Sequence, residues 1–74
     1  MPGKREMIEN FPYKVGDTIK VDVPEEIGRE IKDFTILKIY FDYVLLSDGI
    51  INVCWDIGTV YYMKKGDVLI GTWT

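Results

Sequence analysis

Neither alanine nor glutamine occurs anywhere in this chain, while valine, isoleucine and threonine occupy 7, 10 and 5 positions. β-Branched side chains lose rotamer freedom in a helix and pack well on a pleated surface. Alanine, by contrast, is the residue helices favour most. A helical bundle is therefore a poor solution here, and an all-β or β-dominated fold is the expected one. Size narrows the choice further. A single domain of 74 residues buries only roughly 60% of the surface its unfolded chain exposes. The core is thin and leaves little room for an enclosed active site. Still, 47% hydrophobic and 14% aromatic residues make a globular composition rather than a disordered one.

Local patterns place the elements. Residues 1–13 read as an N-terminal arm, frayed or loosely turned and ended by Pro12; residues 14–74 read as one small barrel domain. Lys14-Val15-Gly16-Asp17 is a turn, since Gly takes positive φ freely and Asp bonds nearby amides. Its echo, Lys64-Lys65-Gly66-Asp67, lies fifty positions later, so both predict a strand entered through the same chemistry. Residues 18–23 alternate, with Ile19, Val21 and Val23 on one face, as a half-buried strand does. The polar stretch 24–33, with Gly28 inside it, reads as a long hairpin connection or irregular lobe. Residues 34–41 carry apolar side chains on both faces, which predicts cover on both sides.

Asp48-Gly49 between two apolar runs predicts a two-residue type I′ hairpin with Ser47 opposite Ile50. That register sends Val44, Leu46, Ile51, Val53 and Trp55 to the core. It leaves Tyr43, Leu45, Ser47, Ile50, Asn52 and Cys54 on the wetter face. Residues 56–63 fit a short helix, with Asp56 as N-cap and Gly66 as its stop, somewhat better than a strand over 60–63. Residues 68–74 form a closing strand, with Val68 and Ile70 opposed to Leu69 and Trp73.

This succession of Gly-Asp turn, alternating strand, long polar loop, Asp-Gly hairpin, short helical turn and closing strand resembles a small SH3-like barrel of about five strands with one short helical segment. An OB-like barrel is the structural alternative. The Lys14-Val15-Gly16-Asp17 turn and the run 34–46 are also similar to small uncharacterised β proteins of bacterial phages and mobile elements. Neither resemblance implies an active site, and a fold alone does not assign function.

Chemistry is sparse. With no histidine and Ser47 as the only serine, a Ser–His–Asp triad cannot be assembled. A lone Cys54 excludes an internal disulfide and a Cys-rich zinc site, and fits a reducing cytoplasm. No apolar run approaches the ~20 residues that span a bilayer, and the charged first ten residues do not make a secretory signal. No catalytic residue, metal site, cofactor or membrane contact is expected.

Residues 17–33 hold six acids against three bases, a net −3 that equals the formal charge of the whole chain. Within this stretch Glu25, Glu26 and Glu30 form either a solvated lobe or a docking surface for a basic partner. Tyr43, on the wetter hairpin face, could join Tyr61, Tyr62 and Trp73 in an amphipathic aromatic strip of the kind partners bind. The expected function is a non-catalytic protein-interaction module or a small self-associating, homodimeric accessory protein. The alternative is single-stranded nucleic-acid binding through exposed aromatic rings.

Overall fold

A computed structural model describes residues 3–64 and 66–71. Their elements, in chain order, are α1 (Lys4–Glu9), β1 (Thr18–Pro24), β2 (Arg29–Ile39), β3 (Tyr43–Ser47), β4 (Asn52–Asp56), α2 (Ile57–Tyr61) and β5 (Val68–Ile70). The strands make one sheet in the order β4-β3-β2-β1-β5. Every pair is antiparallel except β1 with β5, which is parallel. The sheet curls into a half-barrel, so the expected small, β-dominated, barrel-like architecture is present and is consistent with an SH3-like barrel. Among the described residues its two edges, β4 and β5, do not pair with each other, and the barrel is open along that side.

The inner face carries the core. Ile19 and Val21 of β1, Phe34 and Ile36 of β2, Val44 and Leu46 of β3 and Leu69 of β5 are all buried there. Ile57 and Val60 of α2 and Met7 of α1 complete it. A helix of six residues is unstable alone, and α1 is held by burial of Met7 and by its contact with α2. α2 is the helix expected over 56–63: the Asp56 carboxylate accepts from the Gly58 amide at 3.0 Å. It ends at Tyr61, however, so Gly66 belongs to the next turn rather than to the helix stop.

The two echoing turns are built alike. In one, the Lys14 amide donates to the Asp17 carboxylate at 2.9 Å, the Asp17 amide donates back to the Lys14 carbonyl at 3.0 Å, and Gly16 has φ +97°. In the other the matching distances are 2.8 and 2.9 Å and Gly66 has φ +95°. They launch the neighbouring parallel strands β1 and β5. The Tyr13 hydroxyl, donating to the Met63 carbonyl at 3.1 Å, ties one entrance to the other.

Three expectations need correction. The connection read over 24–33 is only the turn 25–28, closed by the Glu25 amide donating to the Gly28 carbonyl at 3.0 Å. Residues 29–33 belong to β2 and read as loop because the hairpin there runs beyond the core. Charge pairs stabilise it instead, Lys20 with Asp33 at 3.0 Å and Arg29 with Asp22 at 3.1 Å. The doubly apolar strand over 34–41 is one-faced after all. A bulge between Ile36 and Lys38 leaves Leu37 unpaired and shifts the phase, so Ile36 opposes Leu46 while Ile39 opposes Val44. Inward positions are thus Phe34, Ile36 and Ile39, and Lys38 faces solvent. Cover on the second face is not required.

The Asp48-Gly49 hairpin, finally, is not type I′. Ser47 opposes Asn52, and the Asp48 carboxylate accepts from the amides of both Ile50 and Ile51 at 2.8 Å. Only Gly49 takes positive φ, at +96°. The register has moved by two residues, which preserves parity. Val44, Leu46, Val53 and Trp55 share the inner face as expected, whereas Ile51 falls in the loop.

Candidate partner-binding groove

The open side of the half-barrel is a groove of about 620 Å³. Its floor and walls are Val21, Val23, Phe34, Val53 and Trp55, inward side chains of β1, β2 and β4. Trp55 is half-buried rather than sealed in the core. Ile51 and Gly71 complete the apolar rim.

One end of the groove is charged. Lys32 lies in the same inward phase as Phe34, opposite Val21. Its ammonium is 3.1 Å from the Glu25 carboxylate and 3.9 Å from that of Glu30. The contact with Glu25 raises the Lys32 pKa and holds Glu25 below the usual carboxylate range; Glu30 and Asp48 add smaller contributions that also raise Lys32. Asp48 sits on the β3–β4 turn, and its own carboxyl is lowered mainly by the Ile51 and Ile50 amides. One cation therefore faces two carboxylates at this end. Lys20 and Arg29 occupy the opposite face of the hairpin, engaged with Asp33 and with Asp22 and the Gly71 carbonyl.

The backbone of β4 borders the groove. Hydrogen bonds from the Ile57 amide to the Asp42 carbonyl and from the Asp48 amide to the Ile51 carbonyl, at 3.1 and 3.3 Å, fix the phase of the β3–β4 ladder. By the alternation of antiparallel pairing, Val53 and Trp55 bond toward β3 while Asn52 and Cys54 turn their amides and carbonyls outward. Both residues are exposed, and β4 has no neighbour on that side among the described residues.

The sequence-based candidates do not assemble into a single strip. Tyr43 stacks on Tyr40, with centroids 4.5 Å apart and an interplanar angle of 22°, and desolvation followed by the charge of Tyr40 raises its pKa. Tyr61 meets Tyr62 edge-on at 5.0 Å, Tyr61 half-buried against the core and Tyr62 exposed at the end of α2. Trp73 lies outside the described residues. Glu25 and Glu30 meet at Lys32, whereas Glu26 is exposed in the hairpin turn. Sequence reasoning placed Val21 and Val23 on the apolar face of a half-buried strand and Trp55 in the core, and passed over Lys32. A signal was present for Lys32, an ionisable residue two positions before Phe34 in the inward phase.

No family model matches the chain, and no curated protein or solved structure matches it. The likeness to small β proteins of phages and mobile elements thus has no relative to support it. No group of three metal-binding side chains occurs among the described residues, and no helix among them is long and apolar enough to cross a membrane.

Proposed function

We propose that this protein is a non-catalytic interaction module that takes an extended segment of a partner protein as an added strand along β4, with alternate side chains entering the groove. One observation carries the reading: outward-facing backbone groups at Asn52 and Cys54 run directly beside the apolar surface of Val53 and Trp55. Main-chain bonds supply affinity in such complexes and side-chain pockets supply selectivity. Natural proteins protect an exposed edge with charge, proline or a bulge, and residues 52–55 contain no charge or proline.

A non-catalytic role is supported by the work the carboxylates already do. Asp17, Asp48, Asp56 and Asp67 cap backbone amides, while Asp22, Asp33 and Glu25 hold cations. The free thiol of Cys54 suits a reducing, cytoplasmic setting.

The test uses proline. Cys54→Pro deletes an outward amide without touching the β3–β4 ladder, a substitution edge strands accept. Peptides alternating valine with threonine should slow hydrogen exchange at Asn52 and Cys54 in the native chain. The proline variant should keep native circular dichroism and lose binding. Should it misfold, Asn52→Pro serves the same purpose. Unchanged binding by a folded proline variant would remove strand addition as the mechanism.

A further inference from the structure

We infer that the strand accepted by this groove is basic as well as apolar: small apolar side chains beside Trp55 and Val53, then lysine or arginine at the next inward position, facing Glu25 and Glu30. The inference rests on strand addition at β4 and specifies its partner. Inward side chains on an added strand recur every two residues, about 6.6 Å along its axis. Beyond the positions beside Trp55 and Val53, the next lies level with Ile51, at the end of the groove where Lys32 is flanked by carboxylates.

Two carboxylates around one ammonium leave an excess of one negative charge there, and the other two cations of the hairpin are turned to the opposite face. An incoming cation completes this arrangement, whereas a carboxylate repeats it. Charge also argues against a second copy of β4 as occupant: its inward positions, Val53 and Trp55, with Ile51 beyond them, offer no base.

Three hexapeptides decide the matter. Each alternates valine and threonine, and the last inward residue is valine, lysine or glutamate. At low salt the lysine peptide should bind about three- to five-fold more tightly than the valine peptide, the range an exposed ion pair supplies. The glutamate peptide should bind more weakly than either. High salt should compress the series. Glu25→Gln combined with Glu30→Gln should abolish the preference for lysine over valine.

Equal affinity for all three peptides overturns the basic partner and leaves strand addition standing. Failure of all three removes both. Concentration-dependent dimerisation in light scattering that Cys54→Pro abolishes would make a second copy the occupant and overturn the basic partner.

Discussion

Asp48 shows how much structure one side chain can specify. Its carboxylate accepts from two backbone amides and so replaces the backbone geometry that a type I′ turn would have supplied. Those bonds favour the ionised form, and the native pKa lies below the ordinary aspartate value. The sign follows by linkage. A depressed native pKa contributes stability in full above the unfolded value, about 4, and that contribution is lost as the pH falls through the native value. Asp48→Asn should be less stable than the parent chain at neutral pH, with the gap closing on acidification; urea midpoints across that range measure it. Packing makes a separate ordering. Phe34 has 0% exposure, so Phe34→Ala should cost about 3–5 kcal/mol, much of what so small a domain possesses. Trp55→Ala should cost less in stability, because the groove already exposes part of the ring, and more in binding. Tyr43→Ala forfeits a surface stack of about 0.5–1.5 kcal/mol and should fold normally. Thermal unfolding of the three variants checks the order.

At the level of elements, the bulge in β2 is the decisive device. Deleting Leu37 would restore an unbroken period of two and keep Lys38 outward and Ile39 inward, because every residue that pairs with β3 stays in register. The deletion should therefore keep the native fold, as retained near-ultraviolet dichroism would show. Leu37→Thr keeps the extra residue and should stay within about 0.5 kcal/mol of the parent. The same bulge explains what the sequence could and could not reveal. Strict alternation made β1 legible, and the Asp56 cap made α2 legible. The inner face of the hairpin was legible too, because a four-residue turn and a two-residue turn have the same parity. A phase shift inside an apolar run leaves no mark when Leu37, Ile39 and Phe41 are all hydrophobic, so β2 looked apolar on both sides. The start of β2 was hidden for the opposite reason: outside the core its stability comes from cross-strand charge pairs, and a polar strand reads as a loop. The groove escaped notice because it depends on β4 and β5 not pairing among the described residues, a fact of closure rather than of local pattern.

Across the whole molecule, the rival to a protein partner is single-stranded nucleic acid, and its best platform is the pair Tyr40–Tyr43. Lys38 lies 5.9 Å from the Tyr40 ring centre, and Phe41, in the neighbouring turn, is 61% exposed. Aromatic faces of this kind can stack bases. Stacking does not neutralise phosphate, however, and affinity for a nucleic-acid backbone comes chiefly from released counterions, about one for each phosphate that a lysine or arginine contacts. Around this pair Lys38 is countered by Asp42, next to Tyr43, and by Asp56, the cross-strand partner of Tyr43. The chain as a whole carries −3, and the groove end adds Glu25 and Glu30 around a single lysine. The field therefore repels a polyanion at this tyrosine pair and at the groove, while the groove attracts a basic strand. A thymidine oligonucleotide titrated at low salt, where screening is weakest, should produce no binding isotherm, and the lysine peptide should produce one under the same conditions. Oligonucleotide binding that weakens steeply with salt and disappears in Tyr43→Ala would reverse this order. The two tyrosines would then be the working surface, and the groove only the place where a small barrel fails to close.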